Sequence, residues 1–378
     1  MNTWIIISYA LLAGYCILIL SYFIAWLFIK PYKLPIQTIA QNKFSVLIPV
    51  RNEVLSIINC LNSLMKQDFP ASNYEVIILN DHSTDETLSL VQTFIDKQEL
   101  THFKLVNLSE HIREGAKKES ITYGVSIAQN PFIILTDADC SSGKNWIKAI
   151  DAFISENDAK FIYAPVLFQA ETIFEKIQSL EFAGLVGIGA AAIQLKNPNM
   201  CSAANLIFKK DVFKEIGGYL NNTNIASGDD EFLLHKVSKK YPNQVFFLKS
   251  YDAIVQTSPN GTLQQLTQQR RRWVSKSTKY EDRFITAILV GAYLFNFSIL
   301  FNICYGLYNP VFLWVGLNQL LVKSATEGMF LFSILKFFKK SFLILFLPLA
   351  EPFHILYVLI IGIWANVTTY KWKGRELT

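Results

Sequence analysis

Charged residues are absent from two long parts of the chain, and this pattern predicts segments that lie in a membrane. Residues 1–29 contain no Asp, Glu, Lys or Arg. Residues 284–322 also lack all four residue types, and Asn309-Pro310 interrupts them with a turn signal. A helix of about 20 apolar residues crosses a bilayer. We therefore expect a transmembrane anchor over 1–30 and a membrane region over 283–370 with about three or four helices.

The residues that flank these segments predict their orientation. The first segment lacks the basic start and the small-residue cleavage site of a signal peptide, so we interpret it as an uncleaved anchor. A third apolar block, 341–370, precedes a basic tail, 371–378, and the pattern leaves the side of that tail open. Part of 328–340 could instead lie flat at the membrane interface. Basic residues mark the cytoplasmic side, and three lysines follow the anchor: Lys30, Lys33 and Lys43. We expect an integral protein of the cell membrane whose middle region is cytoplasmic.

Residues 42–282, between the apolar parts, alternate short apolar runs with amphipathic stretches. Short, mainly apolar runs of this length indicate buried parallel strands, and they cover 44–50, 76–79, 132–135 and 161–166. After the second run, Ser83-Thr84-Asp85-Glu86 has the form of a capping box that begins a helix. Strands that alternate with helices predict a doubly wound α/β sheet, in which ligands bind at the carboxyl ends of the strands.

The composition excludes several classes of protein. Hydrophobic residues make up 51% of the chain and charged residues only 17%, whereas disordered chains combine low hydrophobicity with high charge. The net charge of +5 is accounted for by the basic flanks of the apolar segments, so we expect no nucleic-acid partner. The five cysteines are too scattered for a disulfide scaffold or a zinc site: Cys16, Cys60, Cys140, Cys201 and Cys304.

Two acidic clusters follow predicted strands. Asp81 comes directly after the second strand, where a carboxylate can bind a ribose or a base, although the same cluster could simply begin a helix. Asp137 and Asp139 follow the third strand, and side chains two positions apart share a face of an extended segment. Two convergent carboxylates suit a hard cation such as Mg²⁺ or Mn²⁺ together with phosphate oxygens. The alternative is an ordinary acidic turn.

Two further clusters lie nearer the C-terminal membrane region. Asp229-Asp230-Glu231 precedes an apolar stretch, so these acids either favour a helix N-terminus or include a general base. Residues 268–273 read Gln-Gln-Arg-Arg-Arg-Trp. An arginine there can bind a diphosphate bidentately and the tryptophan can stack on a sugar ring. A basic patch on anionic lipid is the alternative interpretation.

In this order, the clusters resemble those of membrane-anchored family 2 glycosyltransferases with a GT-A fold. The branch that the chain is similar to contains cellulose, chitin and hyaluronan synthases and ceramide glucosyltransferases. The resemblance covers about residues 42–280, and each flank fits the membrane layout of the branch more loosely. It implies an α/β GT-A cytoplasmic domain over 42–282, flanked by transmembrane helices.

The resemblance also implies roles for individual residues. The donor nucleotide sugar would contact Pro49, Arg51, Glu53, Asp81, Lys117, Lys118, Asp137 and Arg272. Asp137 and Asp139 would hold Mg²⁺ or Mn²⁺, and Asp230 would be the catalytic base. The acceptor would contact Asn205, Asp229, Gln269 and Trp273. One position differs from the family, because His82 stands where the family often has glycine. One assignment stays open, because Lys117 and Lys118 could instead lie on a solvated helix face.

The implied reaction is inverting transfer of a sugar, in first place from a UDP-sugar, to a lipid or polysaccharide acceptor. Polymer synthesis and single transfer to a membrane lipid both remain open, because three or four crossings after the domain are few for a translocating synthase. A third hypothesis is a catalytically silent nucleotide-binding subunit of a polysaccharide-synthesis complex, but the acids at 137, 139 and 230 argue against it. A transporter is disfavoured, because the apolar blocks carry few buried charges.

Overall fold

The computed structural model describes residues 2–112, 117–220, 228–275, 283–364, 370–372 and 375–377, and it separates into two compact units. The sheet unit consists of Ile29–Gln169 and Ala192–Ser258. The helical unit consists of Met1–Phe28, Ala170–Ala191 and Pro259–Thr378. Two stretches inside the expected range 42–282 therefore belong to the helical unit.

The strands of the sheet unit are short and mostly buried. They are β1 (Phe44–Val50), β2 (Tyr74–Asn80), β3 (Phe103–Asn107), β4 (Phe132–Leu135), β5 (Ser141–Ser142), β6 (Phe161–Tyr163), β7 (Val166–Phe168), β8 (Leu206–Lys209), β9 (Val245–Phe247) and β10 (Val255–Thr257). Seven of them form the main sheet in the order β3-β2-β1-β4-β8-β6-β9. All its neighbouring pairs are parallel except those of β8, which runs antiparallel to β4 and β6. The expected doubly wound α/β fold is confirmed, with one reversed strand.

The fourth expected strand is two strands. β6 belongs to the main sheet, whereas β7 pairs with β10 in a separate three-stranded sheet that also contains β5. Ala164-Pro165 separates them, and proline has no N–H to donate to a ladder. The prediction of one continuous strand over 161–166 was therefore wrong.

Twelve α-helices lie in the described residues: α1 (Asn2–Phe28), α2 (Ile57–Met65), α3 (Thr87–Lys97), α4 (Lys117–Ile127), α5 (Trp146–Glu156), α6 (Ile173–Gln194), α7 (Lys210–Glu215), α8 (Asp229–Lys240), α9 (Leu263–Ser275), α10 (Arg283–Tyr305), α11 (Pro310–Phe337) and α12 (Leu347–Trp364). A 3₁₀ turn, Ser341–Phe346, precedes α12, and a hairpin of β11 (Tyr370–Trp372) and β12 (Arg375–Leu377) follows it.

The start of α3 differs from the predicted capping box. The helix begins at Thr87, whose backbone N–H donates to Asp85 Oδ1 over 3.0 Å. Ser83 instead accepts a hydrogen bond from the backbone N–H of Asn52, at 3.1 Å. The capping-box prediction was wrong because Ser83 is engaged by the loop after β1, a contact between residues 31 positions apart.

Among the described residues, four helical segments are long and apolar enough to cross a membrane: Thr3–Phe28, Ile173–Gln194, Arg283–Tyr305 and Ser341–Trp364. The second was not expected, and 67% of its most apolar window is buried within the protein, against 22–28% for the other three. Gly187 of α6 faces α11 so closely that an added Cβ would lie 2.1 Å from Ile334 Cδ1. This burial indicates that α6 packs against protein rather than lipid.

The interior of the helical unit contains paired polar groups. Lys323 Nζ lies 2.8 Å from Glu327 Oε1 and 2.5 Å from Glu351 Oε2, and Tyr15 donates its hydroxyl hydrogen to Glu327. One turn earlier in α11, Gln319 Nε2 donates to Ser298 Oγ over 3.0 Å. We call Lys323, Glu327 and Glu351 the buried triad.

Candidate functional site

The loops after β1 and β2 are tied together at the carboxyl edge of the main sheet. Arg51 Nη1 donates to the carbonyl oxygens of Asp81 and His82, at 2.9 and 3.0 Å. Asn52 Oδ1 accepts from the backbone N–H of Thr84 over 2.8 Å. Parallel neighbours end at the same edge, which is why these side chains meet although they are about 30 positions apart.

His82 takes the backbone conformation that glycine usually provides. Its φ is +55°, in the left-handed region, which costs a non-glycine residue about 1–2 kcal/mol. Its ring nitrogens lie 2.9 Å from Asp81 Oδ1 and 3.0 Å from the carbonyl oxygen of Ile112. These contacts hold the turn in place, so the departure from the glycine pattern leaves the turn geometry intact.

The other two expected donor residues after β1 have different surroundings. Pro49 is half-buried within β1, beside Leu79 of β2. Glu53 accepts the hydroxyl hydrogen of Ser56 at 2.6 Å, and its backbone N–H donates to Thr87 Oγ1 at 2.9 Å. Glu53 therefore helps to fix the start of α2 and α3.

Lys117 joins two acids that are far apart in sequence. Its Nζ lies 2.7 Å from Asp137 Oδ1 and 3.3 Å from Asp229 Oδ2. Burial alone would lower the pKa of Lys117, but the charges of Asp137 and Asp229 outweigh it and raise the pKa above its usual value. We call these three residues the edge triad. It brings the ends of β4, α4 and α8 to one point.

The adjacent lysine faces elsewhere. Lys118 is 2% exposed, and its Nζ lies 4.8 Å from the centre of the Phe232 ring. The two lysines, which the sequence could not separate, thus have distinct positions. Lys117 contacts both acids of the edge triad.

Asp139 and Asp137 are held differently. Asp139 is exposed, and its Oδ2 accepts a hydrogen bond from Thr257 Oγ1 at 3.1 Å. Asp137 is half-buried against Lys117. Within the described ranges, no group of three or more His, Cys, Asp or Glu side chains is arranged to hold a metal ion. Two carboxylates are nevertheless the number with which proteins often hold Mg²⁺ beside substrate phosphates.

The acids at the start of α8 combine both interpretations of their sequence. Gly228, with φ +82°, precedes the helix, and its first turn is acidic, as the helix dipole favours. Asp229 is 7% exposed and contacts Lys117. Asp230 is half-buried, and its two carboxylate oxygens accept from the backbone N–H groups of Ala203, at 3.3 Å, and Glu231, at 2.9 Å. These bonds fix the direction of the Asp230 carboxylate.

Asn205 is fully buried and bonded within the sheet unit. Its Nδ2 donates to the carbonyl oxygens of Pro165 and Ala253, at 2.9 and 2.8 Å. Its Oδ1 accepts from Trp146 Nε1 at 3.1 Å. The side chain therefore joins three segments, and an acceptor contact through it would have to break those bonds.

The remaining expected residues lie in α9 of the helical unit. Gln269, Arg272 and Trp273 are half-buried. Arg270, which the sequence did not single out, is 1% exposed. Its Nη2 lies 2.8 Å from Glu181 Oε2 of α6. No sequence signal pointed to this pair, because 89 positions separate its members.

The seven-stranded sheet with acids at its carboxyl edge is a GT-A-like fold. A solved structure supports this: the mannosyltransferase PcManGT of Pyrobaculum calidifontis, in complex with GDP-Man and Mn²⁺, matches with a TM-score of 0.61 at 18% identity, over 96% of this chain and 99% of that one. A family model described as glycosyl transferase family group 2 matches residues 132–369, and one described as glycosyl transferase family 2 matches 45–217. The chain therefore belongs to the family 2 glycosyltransferases.

Two curated relatives match part of the chain. The poly(ribitol-phosphate) beta-N-acetylglucosaminyltransferase TarS of Staphylococcus aureus is 35% identical over 30% of this chain and 19% of its own length. The glycosyltransferase AglE of Haloferax volcanii is 27% identical over 49% of this chain and 58% of its own length. The matched regions thus span about a fifth and somewhat over half of these relatives.

Proposed function

We propose that this protein transfers a sugar from a UDP-sugar to a lipid or polysaccharide acceptor at the cell membrane, with inversion at the anomeric carbon. The observation that carries the proposal is the edge triad, in which Asp137 and Asp229 converge on Lys117 at the carboxyl edge of the sheet. Asp230 follows in sequence, on the first turn of α8. In this fold class, ligands bind at that edge.

The donor would bind along the ends of β1, β2 and β4. Asp81 and the turn that Arg51 holds would receive the nucleoside, and Lys117 would contact the diphosphate, with Arg272 adding charge. The triad already draws a cation to Asp137, so the donor set fits a hard divalent ion. Mg²⁺ or Mn²⁺, held by Asp137 and Asp139, would supply positive charge to the leaving diphosphate. The Mn²⁺ in the mannosyltransferase structure supports this assignment.

The acceptor would lose its proton to Asp230. The backbone N–H groups of Ala203 and Glu231 hold that carboxylate in one direction, which suits a general base that must lie within hydrogen-bond reach of a hydroxyl. As the proton leaves, the hydroxyl oxygen attacks the anomeric carbon and the nucleoside diphosphate departs. Trp273 would stack on the acceptor sugar, and Gln269 and Asp229 are the other proposed acceptor contacts.

We further propose that α1, α10 and α12 cross the membrane and that the sheet unit is cytoplasmic. Their apolar surfaces are mostly exposed in the protein, and the lysines that follow α1 support a cytoplasmic side. A polymer acceptor is supported by TarS, whose name gives poly(ribitol-phosphate) as its substrate. One added sugar on a lipid, after incubation of membranes with radiolabelled donor, would exclude polymer synthesis.

The substitution Asp230→Asn tests the mechanism. We expect transfer to fall by about 10²–10⁴-fold, the usual contribution of a general base, while UDP-sugar binding changes little. Initial rates with radiolabelled UDP-N-acetylglucosamine and isolated membranes give the first quantity, and calorimetric titration with Mn²⁺ present gives the second. Asp211→Asn, an exposed carboxylate on α7, is the control. Full transfer by the Asp230 variant would remove it from the role of base.

A donor screen tests the nucleotide. UDP-, GDP- and TDP-sugars with Mn²⁺ are compared by their effect on the melting temperature of the detergent-solubilised protein. We expect stabilisation by UDP-sugars. Stabilisation by GDP-sugars alone would replace the UDP assignment with the donor type bound by the mannosyltransferase.

A further inference from the structure

One face of α6 holds the segment that contains the Gln-x-x-Arg-Trp motif. Gln178, Glu181 and Phe182 are three and four positions apart, so they lie on the same side of the helix. Each contacts the segment 260–273, and all these residues belong to the helical unit. We call the three α6 residues the α6 clamp.

The central contact is ionic. Arg270 Nη2 lies 2.8 Å from Glu181 Oε2, and the side chain of Arg270 is 1% exposed. Its guanidinium carbon is 4.2 Å from the centre of the Trp273 ring, a distance at which a cation and an aromatic face attract. The charge of Glu181 therefore balances a cation that lies against the motif tryptophan.

A second contact fixes the start of the segment. Gln178 Nε2 donates to the carbonyl oxygen of Asn260 at 2.9 Å, and Gln178 Oε1 accepts from the backbone N–H of Asn260 at 3.0 Å. Asn260 Nδ2 in turn donates to Gln269 Oε1 over 2.9 Å. Arg270 Nη1 donates to the same Gln269 oxygen at 3.1 Å. Gln178 is thus linked through Asn260 to Gln269, the first residue of the motif.

A third contact is aromatic. The Phe182 and Trp273 ring centres are 6.1 Å apart, with 35° between the ring planes. Phe182 is 7% exposed, so it offers a fixed surface to the tryptophan. Trp273 therefore meets Phe182 as well as the Arg270 cation.

The burial pattern of α9 explains why these contacts matter. Within Leu263–Ser275, Arg270 is the one buried residue. A helix usually keeps its orientation by burying an apolar face, and α9 buries none. The Arg270–Glu181 pair therefore helps to set the orientation of α9, together with the contacts of Trp273 with Phe182 and of Arg271 with Trp364. The pair is costly to break because it would leave a buried charge.

We propose that Glu181 is a positioning residue for the sugar acceptor: through Arg270 it fixes the ring of Trp273 at the angle that an acceptor sugar needs. This rests on the proposed function, in which Trp273 contacts the acceptor. Glu181 itself touches no substrate. Its role is to keep the Arg270 cation against the tryptophan.

The first test follows the tryptophan directly. Full-length protein labelled with 5-fluorotryptophan is solubilised in detergent, and the ¹⁹F signal of residue 273 is assigned with Trp273→Phe. We expect Glu181→Gln to shift or broaden that signal, and Arg270→Gln to do the same. Glu171→Gln, a matched change of an exposed carboxylate just before α6, should leave it unchanged. An unmoved signal in Glu181→Gln would overturn the proposal.

The second test separates acceptor from donor. With radiolabelled UDP-N-acetylglucosamine as the probe and isolated membranes as the acceptor source, Glu181→Gln should raise the apparent KM for membranes about tenfold and leave the KM for the donor within about twofold. In a protein that already carries Arg270→Gln, Glu181→Gln should not raise the apparent KM for membranes any further. The double variant with Glu181→Gln and Arg270→Gln leaves neither charge buried without its partner. It therefore keeps the test valid if Glu181→Gln alone folds poorly.

The outcomes are distinguishable. A shifted ¹⁹F signal with an unchanged membrane KM would overturn the acceptor role of Glu181. Additive effects of the two substitutions would also overturn it, because Glu181 would then act independently of Arg270. Failure of the wild-type protein to transfer from any UDP-sugar would reject the proposed function, while the ¹⁹F measurement would still decide whether Glu181 positions Trp273.

Discussion

The edge triad and the buried triad are built from the same parts in different surroundings. Each has one lysine between two carboxylates: Lys117 with Asp137 and Asp229, and Lys323 with Glu327 and Glu351. The side chains of Lys117 and Asp137 are 18% and 34% exposed. Those of Lys323 and Glu351 are 0% and 3% exposed.

Access to solvent gives the two triads different uses. The Lys117–Asp137 pair of the edge triad can be exchanged, because the Asp137 side chain is 34% exposed and water or a phosphate can reach it. The buried triad has no such replacement, since removal of one member leaves an uncompensated charge in an apolar interior. The first arrangement suits a ligand site, and the second fixes how helices pack.

The largest expected effect is on the buried triad. Lys323→Met should lower the free energy of unfolding by about 3–5 kcal/mol, because two carboxylates would remain buried without their cation. Denaturation of the detergent-solubilised protein measures this. A variant that also carries Glu327→Gln and Glu351→Gln should regain much of the loss. Equal stability of Lys323→Met and wild type would show that the triad does not hold the helices together.

A buried lysine outside both triads tests the role of the carboxylates. Lys249 is 7% exposed, its Nζ donates to the carbonyl oxygen of Ile29 at 3.1 Å, and burial lowers its pKa to about 8. The unfolded chain binds the proton of the Lys249 ammonium group more tightly than the folded protein does. The free energy of unfolding should therefore rise by up to about 3 kcal/mol as the pH increases from about 8 to about 10.5.

Melting temperatures across that pH range check this expectation. Lys249→Met should remove the rise, and Lys66→Met, a change of an exposed lysine, should keep it. If the wild type and Lys249→Met respond equally to pH, burial of this lysine does not contribute. Such a result would show that burial of a lysine is not by itself enough to make the stability of this protein depend on pH.

The smallest expected effect concerns the edge triad. Lys117→Met should change stability little but raise the affinity for Mn²⁺ in the absence of nucleotide about tenfold, or about 1.4 kcal/mol, because Asp137 loses its competing cation. Titration followed by electron paramagnetic resonance measures free Mn²⁺. Lys104→Met, at an exposed position of β3, is the control. A weaker affinity in Lys117→Met would show that the lysine supports the ion instead of competing with it.

The parts of the fold that the sequence predicted are those governed by local pattern. The runs that became β1, β2 and β4 are continuous and apolar, and buried parallel strands have that composition. Because parallel strands end at one edge, the positions of Asp81 and Asp137 followed from the strands themselves. The left-handed turn at His82 also agreed with the glycine that the family pattern carries there.

The parts that could not be predicted depend on contacts between distant positions. The Arg270–Glu181 pair joins residues 89 positions apart, and α6 reads as an apolar helix without showing what covers it. Of the two adjacent lysines, only the fold decides which one meets Asp137. Asn205 read as an acceptor residue, but its amide atoms are bonded to Pro165, Ala253 and Trp146.

The chain passes between its two units at four places, near residues 28, 169, 191 and 258. Neither unit is therefore formed by one continuous segment of the chain. A truncation that keeps only residues 42–282 would retain α6 and α9 but remove the helices against which α6 packs, and would leave their apolar surface uncovered. Recombination at a single pair of breakpoints cannot exchange the whole sheet unit without also exchanging Ala170–Ala191 of the helical unit. Parts of the two units are thus inherited together.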